Sequence, residues 1–361
     1  MTETWRPFPT DDASADSAST ADGPTHDIEP TRVVLDMDTG VDDAVALILA
    51  MHSAELRVEA ITSVAGNAPV DECTRNNLLI SELICEHGAP PVARGAEAPL
   101  TRPLVIAPEV HGGDGLGGLS RSLPDSHRAE ISESAHETLA RVSRASLAGE
   151  RNTGPTLIAT GPLTNVALAL QNDATALNGY ERIVIMGGAF DVPGNTGPVA
   201  EFNFFVDPEA AAIVMASGLD ITLVPLDITT TTVLPADLLT VYTGDITHER
   251  PGRSLAHILQ RALEHYIDFQ VWESGLPGGY MHDPLAVATV IRPDIVATEE
   301  VSVDVLTDGT DRGRSVARRA EPGRTISVVV AADAVRFLSM LDDRVLIPVF
   351  LSRENIGLCH G

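Results

Sequence analysis

There is not one lysine in this 361-residue chain; all 24 basic residues are arginine, against 51 acidic ones, for a formal net charge of −27. A molecule this acidic repels phosphates, which argues against nucleic acid or an anionic membrane as a partner. The charge excess without lysine fits a protein kept soluble in high salt, although a GC-rich genome also favours arginine. Aromatics are scarce, at 4 %. Cysteine is limited to Cys73, Cys85 and Cys359, odd in number and without C-x-x-C spacing. That suits a reduced interior and argues against a disulfide framework or a zinc site. No apolar run approaches the ~20 residues of a membrane span. No basic segment followed by an apolar core opens the chain, so no secretion signal is expected and the reading is a soluble, cytoplasmic protein.

What is present is an alternation of apolar strands and helical patterns. Residues 1–29 are rich in Asp, Ala, Ser, Thr and Pro and cannot bury enough apolar surface to offset ordering, so they read as a disordered acidic tail. The rest, 30–361, reads as one catalytic domain. Strands are predicted at Val58–Val64, Thr156–Thr160, Arg182–Met186 and Ile221–Pro225, and helices at Val70–His87, Leu163–Gln171, Pro208–Ser217 and Pro284–Ile291. Continuous apolar strands alternating with helices imply an α/β fold with a mostly parallel central sheet covered on both faces. From Val301 onward, strand-like runs mix with Arg-rich loops and end in the apolar segment Val345–Leu351, read as an antiparallel addition to the sheet.

The stretch Val33–Leu47 sets Asp36, Asp38, Asp42 and Asp43 within eight residues, at the seam between an apolar strand and a helix starting near Asp42. Side chains alternate along a strand, so Asp36 and Asp38 face the same way. Asp42 and Asp43 return from the first helical turn towards the same mouth. Crowded carboxylates repel one another unless they share protons or a cation, and a hard divalent ion resolves the conflict. An N-cap and a dipole-complementing neighbour account for Asp42 or Asp43, but not for Asp36 and Asp38 at the end of a buried strand.

Three further signals are weaker alone. Gly113, Gly115 and Gly118 match a dinucleotide fingerprint by letter, but no helix start follows. The segment reads instead as a mobile loop carrying His111 and Asp114 to a site mouth. In His282-Asp283-Pro284, spacing favours Asp283 as N-cap with Pro284 at the first helical position; a carboxylate there can also point into a cleft, with His282 beside it as an acid. Asn195, Glu201 and Asn203, around the glycine-rich turn Gly187–Gly197, offer hydrogen-bonding groups suited to sugar hydroxyls.

Together these residues resemble the nucleoside hydrolases, the inosine–uridine-preferring N-ribohydrolase family, from about Arg32 to at least Ile291. The D-x-D-x-x-x-D-D motif (Asp36, Asp38, Asp42, Asp43) is followed in order by Val64-Ala65-Gly66-Asn67, His111-Gly112, Ala159 to Asn165, Met186-Gly187-Gly188, Glu201-Phe202-Asn203 and His282-Asp283-Pro284. The resemblance implies Ca²⁺ (calcium) held by Asp38, Asp43, Asp283 and the Thr160 carbonyl, with Asp38 as general base on a water held by the metal. It implies that Asp42, Asn67, Glu201, Asn203 and Asn195 grip the ribose, that His282 serves the leaving base, and that His111 lines the base pocket; Met186 joins the substrate site. Asp36 is placed behind the ligands. Tyr266, Trp272 or Tyr280 could stack on a nucleobase, with core packing the competing role for the first two. A nucleoside as partner and a homodimer or homotetramer complete the expectation.

Three other readings compete. A haloacid-dehalogenase-like phosphatase also opens with D-x-D, but it expects Thr or Val where Gly40 stands and a downstream basic residue, usually Lys. An EF-hand loop counted from Asp36 would want Glu where Leu47 stands. A non-catalytic calcium- or nucleoside-binding protein of the same fold keeps the motifs without the chemistry; with base, metal and ribose residues all present, nothing in the sequence favours it.

Overall fold

The computed structural model describes residues 29–85, 87–149, 153–243 and 254–351. Apart from Glu29, the predicted acidic tail lies outside them, as does Cys359. The first strand, β1 (Thr31–Met37), alternates its side chains between two cores: Val33, Leu35 and Met37 enter one and Val34 the other. A strand buried on both faces needs helices on both sides, and the chain supplies them. The other strands are β2 (Leu56–Ser63), β3 (Val92–Ala93), β4 (Thr156–Ala159), β5 (Arg182–Met186), β6 (Ile221–Val224), β7 (Val233–Pro235), β8 (Gly278–Tyr280), β9 (Val296–Val305), β10 (Ser315–Arg319) and β11 (Ile326–Ala332).

Nine strands form one sheet in the order β10-β9-β11-β6-β5-β4-β1-β2-β3, while β7 and β8 pair as a separate antiparallel ribbon. From β3 to β6, and between β6 and β11, pairing is parallel; β9 is antiparallel to both β11 and β10. The predicted α/β class and the antiparallel C-terminal side are both present. The last apolar run differs. Val345–Leu351 lies in a π-helical segment, Asp342–Leu351, with Val345, Leu346, Val349 and Phe350 in the core. A short apolar run suits a strand or a buried helix equally, and packing decides.

Strand order reverses at β1, which is flanked by β2 and β4. In open α/β sheets such a reversal leaves a crevice beyond the carboxyl ends of the strands, where ligands bind. The helix Val41–His52 starts there. Its residues Val41 to Ala50 are all buried, as expected of a helix apolar on every side beyond the acidic pair in its first turn. Among the described residues no helix is long and apolar enough to cross a membrane. Cys73 is free and buried, whereas Cys85 is disulfide-bonded, so the reading of reduced, unpaired cysteines is corrected for Cys85.

Candidate active site

Four strand ends deliver predicted residues to one place: Asp38 follows β1, Asn67 follows β2, Thr160 follows β4 and Met186 closes β5. Leu226, which the sequence did not single out, opens a short helix after β6. They surround a cavity of about 830 Å³. Asp42, Asn67, His111, Thr160, Met186, Asn195, Glu201, Asn203, His282 and Asp283 all line it. Asp38 and Asp43 are fully buried beneath.

Carboxylate oxygens of Asp42, Asp43 and Asp283 lie within 4.8 Å of one another. Sequence spacing favoured Asp283 as a helix cap, but the helix His282–Ile291 is capped by Met281, which sets Asp283 inside the first turn, facing the other two acids. At the helix Val41–His52 the cap is Gly40, and Asp43 closes the turn by accepting the Gly40 N–H at 2.8 Å. Asp43 also accepts from Thr160 Oγ1 at 2.7 Å and Asn67 Nδ2 at 3.1 Å. Asp38 accepts the Asn67 N–H through Oδ2 at 2.7 Å, while its Oδ1 is buried with no protein partner.

Every carboxyl group of this cluster is pushed up from its ordinary value, first by burial and then, for Asp38, Asp42 and Asp283, by the neighbouring acids. Asp42 reaches about 7. Among the described residues no cationic side chain hydrogen-bonds to Asp38 or Asp43, whose partners are Gly40, Asn67 and Thr160. An orphaned carboxylate oxygen beside three convergent acids, all hard oxygen donors, fits a divalent cation such as Ca²⁺ or Mg²⁺. The convergent trio includes Asp42, expected on the ribose, and leaves Asp38 next to it rather than in it.

Gly66 makes this arrangement possible. A Cβ there would stand 2.1 Å from Asp38 Oδ2 and 2.8 Å from Pro162. Gly66→Ala is therefore expected to cost about 1–3 kcal/mol in thermal unfolding and to remove most turnover, because the buried Asp38 carboxylate has nowhere to retreat.

Asp36 stays behind the cluster. Its Oδ1 accepts from Thr62 Oγ1 at 2.6 Å and Asn165 Nδ2 at 2.8 Å, and burial raises it to about 6. Glu201 points inward, accepting the N–H groups of Gly188, Asn203 and Phe204; burial still raises it to about 7. Asn203 donates to the carbonyl of Thr160 at 2.8 Å, joining the sugar side to the metal side. Asn195 is exposed on the loop after β5.

The histidines differ from expectation. His111 is buried rather than carried on a mobile loop. It closes the helix Pro108–His111, accepts the Val41 N–H through Nδ1 at 3.1 Å, and stacks on Tyr266 with centroids 5.7 Å apart. Asp114 does not reach the mouth; it accepts N–H groups of Leu116, Gly118 and Arg121 and so holds the glycine loop together. Burial lowers His111 to about 3 and His282 to about 4. Burial thus favours the neutral imidazole at both positions. Tyr266 and Tyr280 line the cavity, whereas Trp272 is 78 % exposed and neither lines it nor packs in the core. Spacing gave no hint of Thr229, which bonds His282; Phe269 and Gln270, neighbours of Tyr266 on the same helix, also stand on the cavity wall.

A sequence profile of the inosine-uridine preferring nucleoside hydrolases matches residues 33–339. Pyrimidine-specific ribonucleoside hydrolases RihA are similar: that of Salmonella schwarzengrund is 40 % identical over 279 residues, 77 % of this chain and 85 % of that protein. That of Salmonella gallinarum is 38 % identical over 320 residues, 86 % and 97 % of the two chains. Among solved structures, a plant nucleoside hydrolase matches with a TM-score of 0.78 at 30 % identity, covering 88 % of this chain and 100 % of its own. A purine-preferring ribonucleoside hydrolase from Gardnerella vaginalis matches with a TM-score of 0.78 at 31 % identity, covering 87 % and 97 %. With the family match spanning residues 33–339 and its fold in common with these enzymes, the chain belongs to the inosine-uridine preferring nucleoside hydrolase family and is a ribonucleoside hydrolase, cleaving N-glycosidic bonds.

Proposed function

We propose that the enzyme is Ca²⁺-dependent, that Asp38 is its general base, and that pyrimidine ribonucleosides are its better substrates. The observation that carries the chemistry is the convergence of Asp42, Asp43 and Asp283 beside the orphaned Asp38 Oδ1. Asp38, Asp43, Asp283 and the Thr160 carbonyl would hold the cation, with Asp42 close enough to serve both it and the ribose. When bound, a divalent cation neutralises the crowded acids and acidifies a water beside them.

The remaining work falls to side chains. Asp38 accepts the proton of the attacking water, and its raised proton affinity suits a base. Asp42, Asn67, Glu201, Asn203 and Asn195 hold the ribose. Breaking the bond develops positive charge on the sugar, and carboxylate and amide oxygens around it stabilise that charge more than the neutral substrate, which lowers the barrier. His282 donates a hydrogen bond to the departing base, and His111 with Tyr266 walls the pocket where the base lies.

The pyrimidine preference rests on the relatives at 38–40 % identity, named as pyrimidine-specific. Ribose release from uridine, cytidine, inosine and adenosine tests it. Faster turnover of uridine and cytidine is expected; faster inosine or adenosine hydrolysis would reverse the assignment.

A further inference from the structure

His282 has one ring nitrogen committed. Its Nδ1 lies 2.7 Å from Thr229 Oγ1, while Nε2 has no hydrogen bond among the described residues and the ring lines the cavity. Thr229 is wholly buried, and among the described residues its hydroxyl has no other hydrogen bond. A buried hydroxyl proton needs an acceptor, and here only Nδ1 offers one. The hydroxyl therefore donates, Nδ1 carries the lone pair, and the ring proton sits on Nε2.

The local fold holds this geometry from both ends. Thr229 ends the short helix Leu226–Thr229, its N–H donating to the Pro225 carbonyl at 3.1 Å. Asp227, in the same helix, accepts the N–H groups of Phe190 and Asp191, tying it to the loop that carries Asn195. Three residues on, the Thr232 carbonyl accepts the Met281 N–H at 2.9 Å, and Val233 pairs with Tyr280. The residues before His282 are thus stitched to the residues after Thr229.

We infer that Thr229 is a positioning residue for the hydrolytic reaction: its hydroxyl fixes His282 as the Nε2–H tautomer, so that a donor and not a lone pair faces the departing nucleobase. The Nε2–H donates a hydrogen bond to negative charge developing on the base. The inference rests on the role given to His282 above. The nearly isosteric Thr229→Val removes the hydroxyl, and Thr229→Ser restores it.

On the nucleoside that wild type turns over best, Thr229→Val is expected to lower kcat about ten- to hundredfold, with KM within about threefold and Thr229→Ser close to wild type. An aryl riboside, whose leaving group departs as a stable anion, should be hydrolysed at nearly wild-type rate by Thr229→Val. ¹⁵N NMR of the histidine rings reads the tautomer without turnover: an unprotonated Nδ1 is expected at His282 in wild type and its loss in Thr229→Val. Equal losses on both substrates, no rescue by Ser, or a protonated Nδ1 in wild type would overturn the inference. His282→Ala separates the two claims. If it keeps full nucleoside turnover, the role of His282 falls; if it loses turnover while Thr229→Val does not, only the role of Thr229 falls.

Discussion

Asp38→Asn is expected to lower kcat by about 10²–10⁴-fold while leaving the fold standing. An amide oxygen can still accept the Asn67 N–H that Asp38 Oδ2 takes at 2.7 Å, so the loop after β2 keeps its anchor. What disappears is a buried negative charge that burial and the neighbouring Asp43 already disfavour. In cation-free protein the variant should therefore unfold at the same temperature as wild type or higher, because repulsion is relieved. Loss of activity with unchanged or raised thermal stability would separate a chemical role from a structural one. Near-wild-type turnover would refute Asp38 as the base.

Chelation should abolish ribose release, and its effect on stability should depend on pH in a stated direction. Asp36, Asp42 and Glu201 are raised to about 6, 7 and 7 from ordinary values of 3.8, 3.8 and 4.5, with burial the largest cause in each. The folded state takes up protons at these sites before the unfolded chain does. Their contribution to stability is fully present below the unfolded values and is lost as pH rises through 6 and 7. Chelated protein should thus melt at higher temperature near pH 5 than near pH 8, within these groups' share. A bound cation competes with the same protons, so the increment in Tm from Ca²⁺ should be largest near pH 8 and shrink towards pH 5. Calorimetry with and without chelator measures both; parallel profiles would mean that the cluster does not hold the ion.

The strands and the first acidic motif were legible in sequence because local pattern decides them. The strand Arg182–Met186 is buried on both faces from Ile183 onward and flanked by turns, and its predicted limits are those observed. Asp36 and Asp38 were informative because carboxylates seldom end a buried strand without a purpose. Asp283 was ambiguous, since a cap and a first-turn residue differ by a shift of one or two positions. His111 was misjudged as loop-borne because its burial depends on Tyr266, far along the chain. Thr229 lies in a run of threonines, Thr229 to Thr232, with no period or motif to mark it. The pairing of β7 with β8 helps to bring it to His282, and pairing between distant segments leaves little local trace.

The trio of acids also joins distant parts of the chain. Asp42 and Asp43 stand in the helix after β1, and Asp283 stands in a helix that arrives only after six of the sheet's nine strands have been synthesised. A nascent chain ending before Asp283, or one whose helix His282–Ile291 has not docked, holds two of the three acids. Cation affinity would then be weak until these two segments meet. A bound ion would act as a clasp that closes only once that helix has docked, and ion uptake during refolding would time that step of assembly.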